Sequence, residues 1–392
     1  MKSVRFRCAL LRWEPYRVFF PLGLIFGLWG IALWTFFEIG AIQLYPGLLH
    51  ATVMIGGFLF LFACGFLMTA IPKFTGSASA TEKEILITTV LSSLMLVAGF
   101  SGQIKTFRFI LIINILSLVF FGLRRFNKRQ LDLPNSFIFI PIGIASGLFG
   151  TVIILLSELS LLTGASSIFG QLLYYQGFML SLIIGVGSKL IPVLAGWDEM
   201  FMPGSHKKSF QRLSLVAVAL IISFLIEAFI DARLGRFLRA LAVIPVAIYD
   251  WKILRVPLAR TWLAFWIWIA SWCVPLGLLG AAVFPDYYIH FMHLLFIGGF
   301  SLMTMMIASR VTLAHGGHDL KLEKKSKALL IGASLVALAT LTRVAAGFLP
   351  STYNSHIFYA AIAWLIGFSI WGIIFVRKMI YLRSGSSHDD NC

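Results

Sequence analysis

Residues 49–71 read LHATVMIGGFLFLFACGFLMTAI, a run of 23 without a single lysine, arginine, aspartate or glutamate. As a helix this run is roughly 35 Å long, enough to cross the ~30 Å hydrocarbon core of a bilayer. It is about twice the length of a barrel strand, so the spanning structure it implies is helical. Outward from it the pattern repeats. Apolar segments fall at 18–40, 49–71, 85–101, 109–123, 136–157, 170–194, 212–230, 236–250, 261–284, 289–313, 327–349 and 355–377. Over all 392 residues 59% are hydrophobic and only 12% charged, with a mean hydropathy of +0.91. Soluble domains carry about 25% charged residues, so soluble enzyme folds are excluded. The expected fold is an all-α integral membrane protein of about twelve transmembrane helices. It forms one polytopic domain, 1–392: an N-terminal stretch 1–17, a bundle 18–380 and a tail 381–392.

The net charge of +16 is explained by topology rather than by nucleic acid. With the N-terminus inside, 26 of the 32 basic residues fall on the cytoplasmic side. Only Lys105, Arg108, Arg233, Arg236, Arg239 and Arg343 fall outside. In short loops this bias sets orientation, which predicts both termini cytoplasmic, with the lipid bilayer as the main partner. The first apolar run is too long for a signal-peptide core and lacks a cleavage site, so it is expected to remain as an anchor. Cys8 and Cys392 lie near the termini, while Cys64 and Cys273 lie inside helices. No disulfide framework is implied.

Segments two, six and ten end in Gly76, Gly196 and Gly316, 120 residues or four helices apart, and Ile55-Gly56-Gly57-Phe58 echoes Ile297-Gly298-Gly299-Phe300. One reading is three four-helix units around a pseudo-threefold. The other is that glycine commonly ends helices. A half-chain repeat, as in many carriers, is not seen.

Histidine carries the functional signal. His50 opens the second helix, His290 and His293 the tenth, and His356 the twelfth. At a helix N-terminus the dipole favours the neutral ring, which offers a lone pair to a metal. Histidine at membrane depth is a functional candidate, whereas histidine at a rim is also simply wet. Glycines 56, 57, 298 and 299 would let a flat macrocycle approach the backbone, or serve helix packing. His290 and His293, at i and i+3, are expected to share a face, able to chelate one ion or to place one ring on a haem. At the far end of the tenth helix, His315-Gly316-Gly317-His318-Asp319 reads as a transition-metal cluster or as a solvated capping turn. His206 and His388 have no visible partners.

These residues resemble the signatures of NnrS membrane proteins. The resemblance runs through His50-Ala51-Thr52-Val53-Met54, Gly65 to Pro72 and Gly76, and then through Gly187-Ser188-Lys189-Leu190-Ile191-Pro192. It continues through His293, Arg310-Val311-Thr312-Leu313-Ala314-His315 and Gly317, with Tyr16-Arg17-Val18-Phe19-Phe20 as the opening. It implies a twelve-helix inner-membrane protein with haem and copper, accompanying denitrification or protecting against nitric oxide. His50, His293 and His315 fall on the family's histidines and Arg310 on its arginine. Where the family has a further histidine and a glutamate on the second helix, this chain has Thr52 and Val53, and Lys189 replaces an arginine. These departures weigh against copper.

More broadly, the chain is similar to the haem-bearing subunit of haem-copper oxidases and nitric oxide reductases, with haem histidines on helices two and ten. That resemblance implies haem b on His50 with His293 or His290, and Arg343 as a propionate partner, with Arg233, Arg236 and Arg239 as weaker ones. Tyr174-Tyr175-Gln176 stands where those enzymes place a copper histidine, so a dinuclear reducing centre is not expected. The reading that follows is a haem protein binding nitric oxide or an iron-nitrosyl species. The alternatives are a secondary transporter, whose loop motif Asp231-Ala232-Arg233-Leu234-Gly235-Arg236 mimics, and a quinol-linked enzyme.

Overall fold

The computed structural model describes residues 14–197 and 206–380. The expectations for Cys8 and the leading basic residues, for the tail with His388 and Cys392, and for the His206 side chain lie outside them. Among the described residues there is no strand, and eleven helices are long and apolar enough to cross a membrane. They are α1 (Pro15–Glu38), α2 (Gly47–Thr75), α3 (Glu82–Phe100), α4 (Ile104–Asn127), α5 (Asn135–Glu158), α6 (Ala165–Leu194) and α7 (Lys207–Phe229). After α8 come α9 (Trp262–Val283), α10 (Pro285–His315), α11 (Lys327–Phe348) and α12 (Pro350–Ile380). The chain is therefore a multi-pass membrane protein.

The eighth expected segment, 236–250, is also helical but does not meet that apolar standard. Its helix α8 starts earlier, as Ala232–Pro245 running on into a π turn at Val246–Asp250. The missing turn carries Arg233, which a hydropathy reading trims off as loop, and Arg236 is the first residue of the expected segment. Asp231 fixes the true start by accepting the Leu234 N–H at 2.6 Å, an ordinary N-cap. Thr81, with Glu84, caps α3 through a reciprocal capping box.

Three helices form the interior. The buried share of the spanning window is 83% for α2, 72% for α6 and 61% for α10, and no other reaches 60%. Each of the three also carries a π turn, at Met54–Leu59, Leu173–Gly177 and Leu294–Ser301. These begin 119 and 121 residues apart, so the four-helix period of the terminal glycines reappears in burial and in helix irregularity. Gly76 and Gly196 end their helices with positive φ, 64° and 80°. In α10 that conformation falls to Gly317 (φ 64°) rather than Gly316.

The glycine pairs serve packing. A Cβ on Gly57 would lie 2.3 Å from the Phe26 ring, and one on Gly298 would lie 2.8 Å from Cys273 Sγ. Close approach of α1 to α2 thus requires glycine at 57. Gly57→Ala is expected to cost about 1–3 kcal/mol through overpacking, read as a lower midpoint in unfolding by detergent titration. An unchanged midpoint would show that Phe26 moves aside freely.

Candidate functional site

His50 sits one turn into α2, and its Nδ1 lies 2.9 Å from the Gly30 carbonyl of α1. The edge of the ring meets Trp34, with centroids 5.8 Å apart. His293 sits in α10 immediately before the π turn, and its Nδ1 lies 2.7 Å from the Ile289 carbonyl one turn back. A carbonyl can only accept, so the proton of each neutral ring is on Nδ1 and the lone pair is on Nε2. Both rings line one cavity of about 600 Å³, mid-range for a small-molecule or cofactor site. Met54, Ile55, Met292, Phe296, Ile297 and Trp364 supply much of its apolar wall. Glycines 56, 57, 298 and 299 are not among its lining residues, so the macrocycle role considered for them gives way to packing.

The polar part of the wall is cationic. Arg343 of α11 lines the cavity and donates from Nη1 to Nδ1 of His290 at 2.8 Å. Arg236 of α8 and Glu227 of α7 line it too, paired at 3.0 Å. Behind them Arg239 also binds Glu227 and donates to Gln176 Oε1 at 2.5 Å. Gln176 in turn donates to the Tyr288 hydroxyl at 2.9 Å. Arg236 covers the Tyr288 ring at 4.0 Å. Sequence reading ranked these arginines as weak because a loop would carry them for solubility. The usable signal was their spacing, since positions 236 and 239 share a face only if the segment is helical. The carrier-like run 231–236 is thus a helix cap and an interhelical tie.

His290 and His293 part company. Successive i, i+3 positions are offset by about 60° around a helix axis, and here the offset separates two compartments. His290 lines a second pocket against Gly347 and Tyr353. A Cβ on Gly347 would stand 2.5 Å from its ring. His356 does not line the large cavity; its ring edge faces Tyr359 at 6.3 Å.

His315 and His318 occupy the opposite rim, where α2 and α10 end. Nδ1 of His315 meets Lys73 Nζ at 2.9 Å, and Glu14 stands 3.7 Å away. Burial alone would raise the Glu14 carboxyl, but the hydrogen bond and charge of His315, with Arg17 and Lys73, outweigh it and hold it below the ordinary range. His318 donates from Nε2 to the Lys378 carbonyl at 3.0 Å, and Asp319 accepts from Lys321 N at 2.9 Å. Their side chains are spent on capping and docking the chain. Among the described residues no three His, Cys, Asp or Glu side chains converge as a metal site.

At the Thr52 position a cation is already present. Arg108, fully buried, donates from Nη2 to Thr52 Oγ1 at 3.0 Å and pairs through Nε with Glu158 at 2.9 Å. The Tyr174 hydroxyl donates to the Thr52 carbonyl at 3.2 Å.

A search of curated proteins gives no match. The NnrS protein family, by contrast, matches over residues 11–383, which takes in every helix described above. The chain belongs to the NnrS family.

Proposed function

We propose that the protein is a haem b protein of the bacterial cytoplasmic membrane that handles nitric oxide or its iron adducts, with His50 and His293 as the residues that would hold the haem. One observation carries this reading: two imidazoles from the two interior helices α2 and α10 line one apolar cavity, each with Nδ1 engaged by a backbone carbonyl. Metal-bound histidine has this arrangement, since the hydrogen bond fixes the tautomer and raises the basicity of the other nitrogen. Gly30 and Ile289 therefore act as positioning groups, holding the proton at Nδ1. Family membership adds the nitric oxide setting that the resemblance implies.

Arg343 and Arg236 are the partners for the propionates, because guanidinium matches carboxylate geometry. When bound, haem supplies an iron whose potential follows from its axial ligands, burial and hydrogen bonding. The distribution of basic residues supports an orientation with both termini inside. Copper has no place in the proposal, because Arg108 stands at Thr52 and the far-rim histidines are engaged elsewhere.

The test is the visible spectrum of detergent-purified protein, oxidised and dithionite-reduced, for wild type and His50→Ala. Low-spin haem bands in the wild type that vanish in the variant are expected. A colourless wild type from haem-replete cells would overturn the reading.

A further inference from the structure

The polar corner of the histidine cavity holds donors that the protein leaves unspent. Arg239 can only donate, so the oxygen of the Gln176 amide faces it and the amide nitrogen faces Tyr288. The Tyr288 oxygen is thereby an acceptor, and its own proton meets no acceptor among the described residues. Arg239 and Gln176 are 1% and 2% exposed, so this orientation is fixed from behind. Tyr288 itself lines the cavity, as does Arg236, whose guanidinium lies over the Tyr288 ring. Arg236 spends Nε on Glu227 and leaves both Nη groups without an acceptor among the described residues.

The charged side chains that line the cavity, or bind one that does, are Arg236, Arg239 and Arg343 against Glu227. Three cations against one anion leave two positive charges at a largely apolar wall, and charges held away from solvent call for partners. Water satisfies a donor but offsets no charge, whereas a ligand with two carboxylates does both. The donors also stand toward the opening. Tyr45, Leu48, Ile168 and Ile289 line the cavity and are exposed, which marks its mouth. Tyr288 precedes His293 by five residues, roughly 7.5 Å along the helix toward that mouth. We infer that Tyr288 donates the hydrogen bond that, with Arg236, holds one carboxylate of a dicarboxylate ligand, while Arg343 takes the other. Gln176 is the positioning residue that aims the Tyr288 proton into the cavity. Identifying those carboxylates with the propionates of haem rests on the function proposed above.

The test titrates full-length protein from haem-deficient cells, in detergent, with haemin and with iron etioporphyrin, whose side chains are all alkyl. Tyr288→Phe keeps the ring under Arg236 and removes only the hydroxyl. It is expected to weaken haemin about tenfold, or ~1.4 kcal/mol, and to leave etioporphyrin unchanged. The propionate-bending band in the resonance Raman spectrum of the haemin-loaded variant is expected to shift, which a role in folding alone would not cause. Gln176→Leu leaves the phenol in place and is expected to reproduce both effects to a smaller degree; it decides if Tyr288→Phe does not fold. Haemin affinity and Raman band both unchanged overturn the inference and mean that water satisfies the hydroxyl. Equal losses for the two porphyrins with an unmoved band overturn it as well, making Tyr288 a packing residue. In either case haemin uptake by the wild type leaves the haem reading standing. A wild type that takes haemin alone requires the carboxylates, and the Raman band then decides the part of Tyr288. A wild type that binds neither compound overturns both this inference and the haem reading.

Discussion

Alanine at His293 is expected to strip haem from the purified protein, and alanine at His290 is expected to leave it in place. The two residues are one turn apart, and sequence spacing alone treats them alike. Their hydrogen bonds do not. The Nδ1–H of His293 is donated to its own helix, so its lone pair is left on Nε2 in a ring that lines the cavity with His50. His290 accepts from Arg343 at Nδ1 and lies in a different pocket, packed against Gly347. Removing His293 deletes one of two ligands, and haem content after purification should fall at least tenfold. Removing His290 loosens Arg343, the proposed propionate partner, so retention of the Soret band with a small shift is expected. The measurement is pyridine haemochrome content together with the reduced spectrum for both variants, beside a fold control by size-exclusion chromatography. A low-spin spectrum that survives His293→Ala but is lost in His290→Ala would reverse the assignment.

Much of the architecture was legible because a bilayer imposes one rule: every backbone polar group must be satisfied within the segment. Residues 49–71 predicted the helix that the structure extends to Gly47–Thr75, the difference being one short stretch at each end, with Pro72 and Lys73 discounted by hydropathy. The same discounting failed at α8. Arg236 and Arg239 read as outer-side arginines carried for solubility, yet both are held by Glu227, an acidic residue on another helix. A pairing between helices leaves no mark in a one-dimensional pattern. His50 and His293 were visible as residue types at helix ends. Their sharing a cavity was readable only through the family resemblance, since nothing in spacing brings positions 243 residues apart together. The π turns were invisible for a different reason, because their sequences, such as MIGGFL at 54–59, satisfy an α-helix equally well.

Glu227→Leu is expected to be the most destabilising single change outside the histidines. Its carboxylate is the one acidic group between Arg236 and Arg239, with side-chain exposures of 4% for Glu227 and 1% for Arg239. The contact exists because Gly235 lets α8 approach α7 closely; a Cβ there would sit 2.4 Å from the Glu227 backbone nitrogen. Deleting the carboxylate leaves two guanidinium groups facing each other across a low-dielectric wall, with Gln176 as the remaining acceptor for Arg239. Breaking a buried pair in this way costs about 3–5 kcal/mol, a large share of the stability of any protein. Leucine at both 227 and 236 removes Arg236 along with its partner and leaves Arg239 its Gln176 acceptor. The double variant should therefore be more stable than Glu227→Leu, with a coupling of about 1–3 kcal/mol. Detergent-induced unfolding of the wild type, both single variants and the double variant measures that coupling. Additivity within about 0.5 kcal/mol would mean that solvent reaches the cluster and screens it. In that case Arg236 would be a surface cation at the cavity mouth instead of a preorganised partner for a carboxylate inside it. Strong coupling would establish the reverse: the protein holds a guanidinium at the cavity wall in advance, its own anion half-occupied, with one edge left for a ligand.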